Sequence, residues 1–249
     1  MTYSNKTFYF SGQGVLKIAV YDKTTGKLGP FYDAGDIEKL SLSTKVETYT
    51  LKENRTGKRL KALDIKHSPE LDFSVDLRDF SLQNLMLAFY GDQVSQTATA
   101  FTDKDIGDVE AGQFYQIGLM GTTVSAVTSA GLPITDYTVH NDGTISFAAD
   151  HADVLVSGST GAIDYIQLMS NTGAEVALLF DGINTFRNDA PLTCQIWRAS
   201  LSPLESIDLI SEVAAGKLTL KGSAMEAPDG STVATAGPLA GYGYIAFKA

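Results

Sequence analysis

Apolar and polar residues alternate without a break over residues 70–77: Leu71, Phe73, Val75 and Leu77 fall on one side, Glu70, Asp72, Ser74 and Asp76 on the other. A period of two is the signature of a half-buried strand, so the first set faces a core and the second forms an acidic stripe. Upstream, Leu40, Leu42 and Val46 alternate with Ser41, Ser43 and Lys45, after which Tyr49 and Leu51 become the apolar positions. That change of phase predicts a bulge or bend, because the two faces of a strand repeat every second residue. LKALDIKHS then resumes as a strand with a similar slip near Ala62-Leu63. Residues 8–11 and 15–21 predict opening strands with Gly12 and Gly14 as the turn between them, and TTGKLGPF (residues 24–31) reads as a loop.

Residues 46–60, VETYTLKENRTGKRL, stand apart. Tight hairpins need only two to five loop residues. The candidate tip, LKENRTGKR, holds one Gly and nothing apolar after Leu51, so nothing in it can bury itself. It is either a disordered excursion or a surface made to meet another molecule.

Two segments carry helical periodicity. SLQNLMLAFYG places Leu82, Leu85, Met86 and Phe89 on one face, with Ser81 as N-cap and Gly91 as the stop. SPLESIDLISEVAAG opens with Ser202, has Pro203 at the first helical position and Glu205 to complete a capping box, and ends at Gly216. From about 97 to 165 small residues, Thr and Ser dominate, and TDYTVHNDGTIS predicts a hairpin around Asn141-Asp142-Gly143. EVALLFDGINT, PLTCQIWRASL, KLTLKGSAM and YGYIAFK supply later strands. The expected architecture is mainly β: an antiparallel sandwich or barrel over 1–96 and 166–249, one or two flanking α-helices, and a β-rich insertion over 97–165.

Composition adds a charge asymmetry. The formal charge of the 249 residues is −10, but residues 1–78 carry 13 Lys or Arg against 10 Asp or Glu, while residues 79–186 carry Lys104 against 13 acids. A basic front and an acidic middle serve solubility or suit subunits that associate front to middle. Overall acidity argues against tight DNA binding, which draws on clustered Lys and Arg. MTYSNKTFYFSGQG lacks the basic and apolar regions of a secretory leader, and no run of 18 apolar residues occurs, so a cytoplasmic protein without a membrane partner is expected. Cys194 is alone, which excludes an intrachain disulfide; within LTCQIW it reads as a buried, inert thiol.

Catalytic patterns are missing. His67, His140 and His151 lack metal-site spacing and read as surface or loop residues. FTDKDIGDVEAG gathers Asp103, Asp105, Asp108 and Glu110 but has Asp108 and Phe114 where a calcium loop needs Gly and Glu, leaving a solvated acidic loop. No G-x-S-x-G occurs, GSTG at 158–161 reads as a turn, and neither GQG nor GYG continues into a dinucleotide fingerprint. Glu70, Asp72 and Asp76 do not form a glycosidase pair, since strand alternation accounts for them. Neither enzyme activity nor a cofactor is expected.

With SGQGVLKIA, the block GPFYDAGDIEKLSLSTKVETYTLKENRTGKRLKALDI and LLFDGINTFRNDAPLTCQIWRASLSPLESIDLI in view, the chain resembles the major tail tube proteins of long, noncontractile-tailed bacteriophages. The resemblance implies a β-sandwich with a flanking helix, assembled as hexameric rings that stack into a hollow tube through which phage DNA passes without tight binding. It implies a virion tail protein assembled in the bacterial cytoplasm, with the tape measure protein and tail terminator or tip proteins as further partners. In that family the long early hairpin reaches the adjacent ring. The matching residues here are Tyr49, Leu51, Lys52, Glu53, Arg55, Lys58 and Arg59. Glu70, Asp72 and Asp76 would face the lumen, where a negative wall repels DNA, and the 97–165 insertion would lie outside. A monomeric Ig-like binding or adhesion module, or a head-tail or tail-tip adaptor of similar fold, are the alternatives; Trp197, the one Trp, sits in an apolar strand rather than on a sugar platform.

Overall fold

The computed structural model describes residues 9–55, 57–210, 216–226 and 241–247. In chain order the elements are β1 (Gly12–Val20), β2 (Tyr32–Asp33), β3 (Ile37–Lys52), β4 (Lys61–Leu77), α1 (Leu82–Ala88), β5 (Asp92–Gln96), β6 (Ala100–Val109), β7 (Phe114–Gln116), β8 (Thr123–Ser129), β9 (Leu132–Pro133), β10 (Tyr137–Val139), β11 (Thr144–Phe147), β12 (His151–Ser159), β13 (Ile163–Gln167), β14 (Glu175–Asn184), a 3-10 turn (Thr185–Arg187), β15 (Ala190–Ser202), β16 (Leu218–Met225) and β17 (Gly243–Phe247). The fold is mainly β, antiparallel and of sandwich type, with one α-helix among the described residues.

The chain divides into two units, Met1–Asp92 with Leu168–Ala249, and Gln93–Gln167. In the first, strands run in the order β2-β1-β14-β15-β16-β4-β3, with β17 also on β15. Leu16 and Ile18 of β1, Val176 and Leu178 of β14, Leu218 and Leu220 of β16, and Phe73, Val75 and Leu77 of β4 meet in one buried cluster, so the sheet wraps about its own core. Each such side chain contributes roughly 1.5–3 kcal/mol by leaving water. The second unit has its own core, including Val109, Ile117, Ile145, Phe147, Val154 and Val156. Its sheets are β10-β11-β7 and β6-β12-β8-β9. The expected hairpin at Asn141-Asp142-Gly143 pairs Tyr137 with Phe147 and Val139 with Ile145.

Several local expectations are corrected. Gly12 and Gly14 do not turn the chain; both lie inside β1, and Gly14 stands directly opposite Gly182 of β14. A Cβ on Gly14 would come 2.4 Å from the Asp181 carbonyl and 2.9 Å from the Phe180 ring, so close strand approach under an aromatic ring is what needs glycine here. FTDKDIGDVEAG is largely strand β6 rather than a loop, and GSTG begins as the end of β12.

The helices differ most. Ser81 does cap α1, its side chain accepting from the Asn84 N–H at 3.3 Å. Leu85 and Phe89 of the expected face do pack, partly buried, on the core, but the fully buried residues are Asn84, Leu87 and Ala88, and Leu82 is exposed. The polar Asn84 can occupy that face because its amide donates to the Ala34 and Asp79 carbonyls at 2.9 and 3.1 Å. The left-handed residue ending the helix is Tyr90 (φ 49), not Gly91; the Gly91 N–H returns to the Met86 carbonyl at 3.0 Å, and the Tyr90 hydroxyl donates to Leu201 O. No helix begins at Ser202, which ends β15, and residues 203–210 are irregular. Leu204 and Ile207 pack on the core, the Leu204 N–H donates to Ala88 O at 2.9 Å, and Glu205 pairs with Lys221 at 2.7 Å, so tertiary contacts override the capping box. Residues 211–215 of that expected helix lie outside the described residues.

Candidate functional site

Residues 37–77 form a single long hairpin in which β3 and β4 pair from Ile37↔Leu77 out to Lys52↔Lys61. Near its root the ribbon belongs to the sheet: Leu40 and Leu42 pair with Val75 and Phe73 over the core. Beyond Ser43 on one strand and Glu70 on the other, every described residue up to the tip is exposed except Glu53. The predicted change of phase is real and has a mechanism. Opposite Val46-Glu47 the register shifts, leaving Ser68 of β4 as an extra residue at φ 50. A second shift between Leu51 and Lys52 leaves Ala62 unpaired, at the slip expected from the sequence.

Past the first bulge the apolar residues occupy the reverse face. Leu40, Leu42 and Val46 share one side of β3, whereas Tyr49 and Leu51 lie on the other and pair across the ribbon with Ile65 and Leu63. These four are 58, 39, 46 and 52% exposed, so they cover one another and nothing else. The tip is shorter than expected: strand pairing reaches Lys52 and Lys61, and the Glu53 N–H donates to the Leu60 carbonyl at 2.8 Å. Gly57 and Arg59 turn it, at φ 72 and 48.

The charges along the hairpin divide into committed and free. Lys61 pairs with Asp64, which also accepts from the Thr50 hydroxyl at 2.8 Å, and these bonds hold the Asp64 carboxyl below its usual range. His67 lies 3.5 Å from Glu47. Lys52, Arg55, Lys58 and Arg59 are exposed and make no ion pair with a described residue. Sequence reasoning missed Leu63 and Ile65. Their register to Leu51 and Tyr49 becomes readable only once the bulges are placed.

Glu70, Asp72 and Asp76 do share the solvent side of β4, but the neighbouring strands balance their charge. The Lys45 ammonium sits 2.6 Å from Asp72 and, more than any other group, holds that carboxyl below its usual range. Asp76 accepts from the Thr219 hydroxyl at 2.8 Å, with Lys217 at 3.9 Å. The stripe is therefore a mixed polar surface rather than a uniformly negative one.

Elsewhere, His140 Nε2 lies 2.9 Å from Ser146 Oγ, and His151 binds Asp136 at 2.9 Å. The half-buried His151 begins β12 and packs on Phe147, which corrects its expected loop position. Among the described residues, no group of three or more His, Cys, Asp or Glu side chains is placed to hold a metal ion. Burial pushes the Cys194 thiol up, away from the reactive thiolate.

A family model spans residues 9–246, which takes in the whole hairpin and most of both units. The chain belongs to the family described as Protein of unknown function UCP028589. No curated protein matches the chain. Membership in UCP028589 thus leaves the hairpin to be interpreted by its own physics.

Proposed function

We propose that this chain is a structural subunit that associates with copies of itself, head to tail, into a hollow tube of stacked rings, as the phage tail tube proteins it resembles do. The hairpin is the arm that reaches from one ring to the next. One observation carries this reading: Tyr49, Leu51, Leu63 and Ile65 form an apolar face on a ribbon that no core supports. A two-stranded hairpin alone is at best marginally stable in water, and a contiguous apolar patch rimmed by charge marks an interaction surface. Lys52, Arg55, Lys58 and Arg59 make the tip cationic within a chain of net charge −10, which favours an acidic partner surface such as another copy.

Such a contact is heterologous, so it does not close and adds rings along an axis. Each exposed ion pair contributes only about 0–1 kcal/mol; repeated around a ring, these add register to what the apolar face supplies. Negative-stain electron microscopy of the purified protein tests the reading. Long hollow rods are expected, single closed rings would favour an adaptor, and monomers at high concentration would overturn self-assembly. Reversing both Lys58 and Arg59 to Glu should shorten or abolish the rods while leaving the melting temperature of the subunit unchanged. Rods of normal length from that variant would remove the tip from the contact.

A further inference from the structure

The pairing registers fix which end of the first unit the hairpin leaves and what lies at the other. Leu77 pairs with Leu218 and Ile37, Ser202 with Lys221, and Val20 with Val176, so the ends of β1 and β4 and the start of β14 share one pole. The hairpin runs away from that pole. At the pole itself lies a groove of about 620 Å³, between α1, the β1–β2 turn and residues 171–174. Tyr21, Pro30, Tyr32, Met86, Leu87 and Ala174 give it apolar walls, and Gln83 and Asp92 stand among its polar residues. The exposed Val20, Phe31 and Leu82 extend the apolar surface around it.

Resting on the self-assembly reading, the geometry points to the occupant of this groove: we propose that the Tyr49, Leu51, Leu63 and Ile65 face of one copy seats in the α1 groove of the next. Three observations favour a second copy. The donor face and the acceptor groove occupy opposite poles of the same unit, which is what a head-to-tail contact requires and what a two-fold dimer does not. Both are apolar, and the unsupported part of β3 reaches about 20 Å at ~3.3 Å per residue, which carries the face well clear of its own unit.

Charge completes the match. Residues 47–66 carry six Lys or Arg against three Asp or Glu. Asp92 in the groove and Asp22 on the adjoining turn are carboxylates held below their usual range, by Ser170 and by the Thr25 and Thr24 N–H groups respectively, and they outnumber the one ammonium of the lining, Lys23, which donates to Thr172 at 3.0 Å. A second apolar groove, lined by Val46, Pro69, Ile196, Tyr242 and Tyr244, sits beside the hairpin's own base rather than at the opposite pole.

Site-directed cross-linking tests this. In a Cys194→Ala background, two single-cysteine proteins, Leu63→Cys and Gln83→Cys, alter exposed side chains and keep both cores intact. Mixed one to one, allowed to assemble and treated with a short bismaleimide, they should give a covalent product of twice the chain mass that neither protein gives alone. Rods by electron microscopy without that product would overturn the groove while leaving self-assembly standing. Absence of any assembly from the Cys194→Ala parent and from the unmodified chain would overturn the self-assembly reading, and the groove assignment with it.

Discussion

Asn84 shows how one residue can set an element against its own pattern. The amphipathic period over residues 82–89 places Leu82, Leu85, Met86 and Phe89 inward, and no signal in that period marks the intervening Asn as the deepest position. Its two donated bonds, to Ala34 O and Asp79 O, tie the helix to the segment before β3 and to the end of β4, and the helix rolls to keep them. Replacing Asn84 by Leu keeps the volume and removes the donors. Leaving the buried Ala34 carbonyl unpaired and removing the part-buried bond to Asp79 O should cost about 1–3 kcal/mol, read as a lower midpoint in urea unfolding with unchanged slope. A neutral Asn84→Leu variant would mean that packing alone orients α1. Asp136 makes a second residue-scale case. Its hydrogen bonds to His151, ahead of every other influence, hold the carboxyl below its ordinary value of 3.8. A depressed carboxyl contributes stability that is complete above the unfolded-state value and is lost as pH falls through the lower, folded-state one. The melting-temperature gap between the wild-type protein and Asp136→Asn should therefore be widest above the ordinary carboxyl value and should narrow as pH falls below it. A gap that ignores pH would show that the ionised form of Asp136 contributes nothing.

At the scale of elements, strands were legible where one face is buried and the other wet. Leu71, Phe73, Val75 and Leu77 follow their alternation into the core because a slip by one residue would turn all four to solvent. The change of phase at Val46 was equally legible, yet its cause, the left-handed Ser68 on the partner strand, was not, since a bulge leaves its mark on the strand it does not lengthen. Tyr49 and Leu51 stood out in the sequence, while Leu63 and Ile65 lay unremarked in the next strand, beside the slip at Ala62-Leu63. Only the pairing reveals one four-residue face. The C-terminal helix failed for the opposite reason. Ser202, Pro203 and Glu205 satisfy every local rule for a helix start, but each rule is worth about 1 kcal/mol. The packing of Leu204 and Ile207 on the core, with the Leu204 N–H on Ala88 O, outweighs them. Tertiary burial decides such contests, and a single sequence does not record it.

At the scale of the molecule, two separate cores predict two separately stable pieces. The first unit's core draws on β1, β4, α1 and β14–β16, and the second unit's on β6, β7, β8, β10, β11 and β12, with no buried residue common to both. The chain passes between them along β5 and β13, which pair as a two-stranded ladder and are joined further by Ser95 to Asp164 at 2.5 Å. A cut beyond that ladder removes a core without opening another. Replacing residues 97–162 by an Asn-Gly turn, the residue pair best suited to a two-residue hairpin, should leave a protein that still unfolds in one cooperative step. Its urea slope should fall in proportion to the surface removed. The excised Gln93–Gln167 unit should unfold cooperatively on its own, since chains shorter than it can sustain a core. Loss of the cooperative step in both pieces would mean that the two cores stabilise each other. If the trimmed protein folds and still forms rods, self-assembly belongs to the first unit alone. The acidic second unit, with Lys104 facing nine carboxylates over residues 93–167, would then act on the assembled tube's surroundings rather than on its construction.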